Sequence, residues 1–136
     1  MFSKMITLYN LHGDTWRPTV LRNCCLITDK AARQAQTGIE NADRASLYIL
    51  KASVVAAGAS VVSPKEYEAM NNPSGYITFN EGTDFFVRGE QDTAAVNDED
   101  YPSGYYDYLN RTKDDVFLIT SAADYDLIPH YEISGK

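Results

Sequence analysis

A chain of 136 residues with 44% hydrophobic side chains is long enough to bury one core, so we expect a single domain spanning residues 1–136. Its formal net charge of −7 excludes a protein that binds nucleic-acid phosphates through clustered lysines and arginines. The ten tyrosines, against one tryptophan and two histidines, suit half-buried strands and contact surfaces.

The cysteines and the first residues indicate the compartment. Cys24 and Cys25 are adjacent, and neighbouring side chains of a strand point to opposite faces, so we expect no disulfide between them. No Cys-x-x-Cys motif or Cys/His ligand spacing occurs, and we predict neither a cofactor nor a metal. The first residues, MFSKMITLYN, lack the apolar run of a signal peptide, and no stretch has membrane-spanning length. We therefore expect a reducing compartment and no membrane partner.

The first part of the chain predicts short strands and one long loop. The predicted strands are residues 5–9, residues 19–28, which open at Arg17-Pro18 and bulge at residues 23–25, and residues 46–55, a strand followed by less regular chain. In the third strand Leu47 and Ile49 share one face, while Tyr48 and Leu50 share the other, which suggests a central strand. The polar residues 29–44 between the last two strands predict a long loop.

Residues 63–66, Ser-Pro-Lys-Glu, form the clearest local signal in the sequence. Serine can cap a helix, proline suits the first helical position, and a glutamate three residues after the cap completes a capping box. We predict a short helix here that ends by residues 71–73 and buries Tyr67 and Met70.

Residues 75–90 form the densest apolar segment, GYITFNEGTDFFVRGE. Its composition predicts two short strands that pair around a tight turn at residues 80–82. Gly82 supplies the freedom to adopt a positive φ in that turn. We expect the other strands to pack around this segment.

Residues 91–115 are acidic and rich in tyrosine, and we interpret them as a second long loop. The tyrosines could fold back on the sheet, or they could contact another protein, since an aromatic patch with few cations suits such a contact. For the second interpretation, the candidate interface residues are Asp98, Glu99, Asp100, Tyr101, Tyr105, Tyr106 and Tyr108.

The last segment predicts a strand at residues 116–121, a turn at residues 124–126, and a return strand at residues 128–134. Pro129 indicates that this return strand lies at a sheet edge. The whole pattern predicts a mainly β fold, a small antiparallel β-barrel or sandwich with one short helix and two long loops.

No arrangement of residues predicts catalysis, so we expect no enzyme. His12 lies near Asp14 and His130 near Glu132, but the sequence has no nucleophile motif to accompany either pair. The acidic residues from Asp98 onward do not fit a calcium loop, because its sixth position is not a glycine here.

Several segments, in order along nearly the whole chain, resemble a family of small minor capsid or head–tail joining proteins of tailed phages and prophages of Gram-positive bacteria. The segments are residues 5–10 (MITLYN), 18–27, 46–50 (SLYIL), 63–70 (SPKEYEAM), 75–90, 115–126 (DVFLITSAADYD) and 129–136 (PHYEISGK). The chain departs from the family where a tryptophan is common, at Tyr76, Ile77 and Tyr131, and where an aromatic residue is common, at Cys25 and Leu26. These substitutions preserve bulk or β propensity.

The resemblance implies a virion protein that is made in the bacterial cytoplasm and has no enzymatic residues. It would be a head–tail connector or head-closure subunit that forms a ring of identical copies at the neck, in contact with portal or adaptor and tail proteins. Genome DNA would pass through without specific binding, because a lumen lined by carboxylates repels phosphates. Two alternatives stay open: a tail-terminator or other tail-completion protein, and a non-structural, host-directed binding module that acts through the tyrosines.

Overall fold

The computed structural model describes residues 2–29 and 44–136, and within these residues six strands close into an antiparallel barrel. The strands are β1 (Lys4–His12), β2 (Thr15–Asp29), β3 (Arg44–Leu50), β4 (Ser60–Val61), β5 (Tyr76–Ile77), β6 (Phe85–Arg88), β7 (Val96–Asn97), β8 (Val116–Tyr125) and β9 (His130–Gly135). The helices are α1 (Lys51–Ala56), α2 (Pro64–Ala69) and α3 (Tyr105–Thr112), with a 3₁₀ turn at Asp98–Asp100. The barrel order is β1-β6-β8-β9-β3-β2, and β2 pairs with β1 to close it.

The closed barrel confirms the predicted mainly β, antiparallel fold. Residues 30–43 of the predicted long loop at residues 29–44 lie outside the described residues. The barrel core contains aliphatic and aromatic side chains from every barrel strand, including Ile6, Leu21, Leu47, Phe86, Phe117 and Ile133. A second apolar cluster, which includes Tyr9, Trp16, Phe85, Val87, Leu109 and Val116, packs on another face of the sheet. β6 contributes to both clusters, which confirms that other strands pack around this apolar segment.

The prediction that residues 75–90 form a hairpin is wrong. β5 pairs in parallel with β4, whereas β6 pairs with β1 on one side and β8 on the other. The predicted turn itself is present, and Gly82 adopts a φ of +81°. The Asp84 carboxylate accepts hydrogen bonds from the backbone N–H groups of Leu11 and Asn80, so it fixes the turn against β1 and directs the chain away from β5.

β2 begins at Thr15, before the predicted start, so Pro18 lies inside the strand opposite Tyr9. Proline is tolerated there because, within the described residues, β2 pairs at that point with β1 alone. The predicted bulge is confirmed: the β1–β2 register shifts opposite Met5, and Asn23 adopts a φ of +57°.

The strand and helix after this bulge refine two further predictions. β3 lies between β2 and β9, as a central strand should, with Leu47 and Ile49 buried. The chain after it, predicted as less regular, is α1. The prediction that Pro129 marks an edge is wrong, because the proline precedes β9 and β9 pairs on both sides, with β8 and β3.

The predicted capping box is confirmed at the start of α2. Ser63 Oγ accepts a hydrogen bond from Glu66 N at 3.2 Å, and Glu66 Oε1 accepts one from Ser63 N at 3.2 Å. Tyr67 is buried as predicted, whereas Met70 is only half-buried.

Asp84 predicts an unusual dependence of stability on pH. Burial raises its pKa from 3.8 to about 6, although three hydrogen bonds to the carboxylate oppose the shift. The folded state therefore holds the proton more tightly than the unfolded state, and stability falls as pH rises from about 4 to about 6. We expect the free energy of unfolding of the wild type, minus that of Asp84→Asn, to fall by roughly 3 kcal/mol over this range.

Urea unfolding of both proteins between pH 4 and pH 7 measures this difference. Glu68→Gln, at an exposed position of α2, controls for the loss of one negative charge. A difference that grows with pH would mean that the hydrogen bonds to the carboxylate outweigh the cost of its burial.

Candidate protein-interaction surface

The histidines have structural partners. His12 Nε2 lies 2.7 Å from the carbonyl oxygen of Met70, and its ring packs edge-on against Tyr67. His130 Nε2 lies 2.9 Å from Glu132 Oε2, and its ring stacks on Tyr125 with centroids 5.1 Å apart. The Glu132 carboxylate and the Ile128 carbonyl raise the pKa of His130. The two histidines thus hold the end of α2 and the β8–β9 hairpin in place.

Within the described residues, no cluster of three or more His, Cys, Asp or Glu side chains could hold a metal ion. Nor does that part of the chain contain a helix long and apolar enough to cross a membrane. Cys24 and Cys25 are both buried and unbridged, and burial raises the pKa of the Cys24 thiol to about 12. A thiol with such a pKa is a poor nucleophile at neutral pH.

The prediction that residues 91–115 form one irregular loop is wrong. The segment contains β7, the 3₁₀ turn and α3, and Leu109 of α3 is buried in the second apolar cluster. A helical signal was present in the sequence, because Tyr105, Tyr106 and Leu109 are spaced three and four residues apart. The acidic composition and the Pro102-Ser103-Gly104 turn obscured it.

Asp98 is the residue that fastens this segment to the barrel. Its Oδ1 atom accepts hydrogen bonds from Trp16 Nε1 and from the backbone N–H of Tyr105, each at 2.8 Å. Asp98 therefore anchors the first turn of α3 and a buried tryptophan of β2 at once. Its predicted neighbours in the interface, Glu99 and Asp100, are exposed.

The four predicted tyrosines form one group, which we call the tyrosine cluster: Tyr101, Tyr105, Tyr106 and Tyr108. Tyr106 packs on Phe85 with ring centroids 5.1 Å apart, and Tyr105 packs on Tyr9 at 5.5 Å. Tyr101 lies against Tyr105 at 4.9 Å and against Tyr108 at 4.8 Å. The inner rings of the cluster therefore cover the sheet, as the first interpretation of the sequence expects, while Tyr108 stays 39% exposed.

The turn between β8 and β9 spans residues 126–129, not the predicted 124–126, and it places large apolar side chains at the surface. Leu127 is 96% exposed and Ile128 67% exposed, between the ends of β8 and β9, and Tyr125 before them is 45% exposed. We call these three residues the hairpin tip. A Leu-Ile pair between an aspartate and a proline is unusual for a turn, and this was the available signal.

Lys51, the first residue of α1, holds the residues around the hairpin tip in place. Its Nζ atom lies 2.6 Å from Asp124 Oδ1 and 2.8 Å from Asp126 Oδ1, and these two carboxylates raise the pKa of Lys51. The backbone N–H of Lys51 also donates to the Pro129 carbonyl at 3.1 Å. These contacts hold the turn in place, although its own apolar side chains are exposed and pack on nothing in the described core.

Comparison with known proteins decides the family. The chain belongs to the family of unknown function DUF6751, whose model matches residues 1–136. The comparisons with curated proteins and with solved structures found no match. The function of this DUF6751 member is therefore inferred from its own sequence and surfaces.

Replacing Asp98 tests whether the acidic segment is structural at this position. Asp98→Ala leaves the buried Trp16 N–H and the first N–H of α3 without their acceptor, so we expect a loss of about 2–4 kcal/mol in the free energy of unfolding. Urea unfolding measures the loss, and the fluorescence of the sole tryptophan should shift to longer wavelength.

Glu99→Ala is the matched control, because Glu99 is the exposed neighbour of Asp98. Its free energy of unfolding should stay within about 0.5 kcal/mol of the wild-type value. Equal stability of the two variants would contradict an anchoring role for Asp98.

Proposed function

We propose that this chain is a structural subunit of a tailed phage or prophage particle. In this proposal it forms a ring at the neck between portal and tail, as a head–tail connector or head-closure protein. The sequence resemblance, which extends in order along nearly the whole chain, supports this assignment. The protein would work through contacts with its own copies and with portal or adaptor and tail proteins, and would require no chemistry.

The observation that carries the proposal is the hairpin tip. Leu127 and Ile128 expose most of their apolar surface on a hairpin that Lys51 braces. Exposed apolar side chains on a braced turn are typical of protein–protein contacts, since their burial against a partner is favourable and little conformational entropy is lost. A closed barrel suits a ring subunit because closure leaves few strand edges for unintended pairing.

The acidic surface is compatible with a position around DNA. A ring repeats the net charge of −7 in every subunit, so carboxylates that face the lumen would repel phosphates and let the genome slide. A tail-terminator or other tail-completion protein would use the same features.

A second candidate is a host-directed binding module that acts through the tyrosine cluster. Tyr108 is partly exposed, and its ring packs on Tyr101, which directly follows the exposed Glu99 and Asp100. This arrangement favours a contact with a protein that carries cations.

Electron microscopy of particles induced from a host that lacks this gene tests the proposal. We expect tailless heads alongside free tails, and heads that have also lost their DNA if the protein closes the head. Normal, infectious particles would contradict the structural role and favour the binding module.

Complementation of that deletion tests the hairpin tip. A Leu127→Ser, Ile128→Ser double variant should unfold within about 0.5 kcal/mol of the wild type, because both side chains are exposed. It should nevertheless restore far fewer infectious particles than the wild type. Tyr76→Ser, at an exposed aromatic outside the hairpin, is the control. Full rescue by the double variant would show that the tip makes no essential contact.

A further inference from the structure

The end of β8 is one of the strand edges that stay open within the described residues, as is the side of β2 that faces away from β1 over residues 17–21. β8 pairs with β6 only from Val116 to Leu118, after which Ile119 N donates to the Asp84 carbonyl. From Ser121 to Tyr125 it pairs with β9, and no described residue forms a ladder on its other side. The edge arises because β6 begins only at Phe85, where the preceding turn leaves the sheet.

Such an edge presents unpaired backbone N–H and C=O groups over about 17 Å, at roughly 3.4 Å per residue. Its first residues, Ser121, Ala122 and Ala123, have small side chains that let another backbone approach closely. The edge is therefore a template for an added strand.

A groove of about 670 Å³ runs beside this edge, and residues 122–124 form one of its walls. The other walls are residues 61–64 with Glu66, at the start of α2, and residues 78–81. Phe79 and Tyr131, with ring centroids 5.4 Å apart, supply an aromatic surface. The volume lies within the range of about 300–1,000 Å³ that is typical of ligand sites.

The charge of the groove selects the occupant. Its lining contains Glu66, Glu81 and Asp124 and includes no lysine or arginine among the described residues. Lys51 lies beside the groove, with its Nζ atom 5.3 Å from the centre of the Tyr131 ring, but Asp124 and Asp126 both pair with it, so the acidic side chains around the groove still outnumber this cation. A second copy of this chain, with its own net charge of −7, is disfavoured on these grounds, whereas a segment with lysines or arginines is attracted.

We propose that the open edge of β8 and its groove bind an extended, basic segment of a partner protein, which adds as a strand along Ser121–Tyr125. Asp124 pairs with Tyr131, so the two side chains share the face that lines the groove. Cationic side chains on that face of the segment would reach Glu81 and Asp124 beside the rings of Phe79 and Tyr131. The inference goes beyond the phage proposal and does not depend on it, because it uses only the edge, the groove and their charge.

Two synthetic probes test the proposal on the purified full-length protein. The first is a nine-residue peptide of alternating valine and lysine, and the second is its match with glutamate in place of lysine. We expect the lysine peptide alone to bind, with the largest amide NMR shifts in residues 79–81 and 121–125. Absence of binding, or shifts spread over the tyrosine cluster instead, would overturn the proposal.

A pair of charge reversals separates the groove from general attraction to an acidic protein. Glu81→Lys should weaken binding of the lysine peptide about tenfold or more, which corresponds to about 1.4 kcal/mol. Glu99→Lys makes the same change of charge at an exposed residue outside the groove lining and should have a much smaller effect. If both variants weakened binding equally, the peptide would be bound by non-specific electrostatic attraction and not by the groove. Shifts in residues 121–125 that depend on protein concentration without peptide would instead assign the edge to a second copy.

Discussion

The arrangement of the barrel depends on one buried carboxylate. Asp84 is almost completely buried, yet it accepts hydrogen bonds from Leu11 N, Asn80 N and Asn10 Nδ2 at 2.8–3.1 Å. Asn10 Nδ2 also donates to the Thr78 carbonyl at 2.6 Å. The network joins β1, the turn before β6 and the chain leaving β5. A buried polar network with these partners favours one arrangement over competing ones, because any other leaves the carboxylate unpaired.

This network explains where the barrel is closed and where it is open. Asp84 places the start of β6 beside β1, and its own carbonyl accepts from Ile119 N, which brings β8 alongside. Closure is thereby complete near Asp84. Past Ile119, the chain before Asp84 turns away at Asn80, so β8 continues without β6. The same constraint that seals the core therefore exposes the strand edge beside the groove.

Local sequence signals were sufficient for much of the fold. The capping box at Ser63, the bulge near Asn23 and the mainly β, antiparallel architecture follow from side-chain type and spacing within a few residues. Strand pairing is not local. Residues 76–79 and 85–87 have every feature of a hairpin, and the pairing was decided by Asp84, which in the sequence is only another acid near a turn. Of the predicted interface, the grouping of the tyrosines was foreseeable, but the anchoring role of Asp98 depends on Trp16, which is distant in sequence.

The distribution of aromatic and apolar surface separates structural from contact residues. Tyr105 and Tyr106 pack most closely against the sheet, and Asp98, the first residue of the predicted acidic patch, holds α3 in place. Most of that segment is therefore needed for the fold, which leaves Tyr108 and its acidic neighbours as its exposed portion. In the β8–β9 hairpin, by contrast, Leu127 and Ile128 do not belong to the described core, and their apolar surface is exposed to water, which is unfavourable. Since such a cost is offset only when a partner covers the residues, the hairpin is the stronger candidate for contact, although the tyrosine cluster is the more conspicuous feature of the sequence.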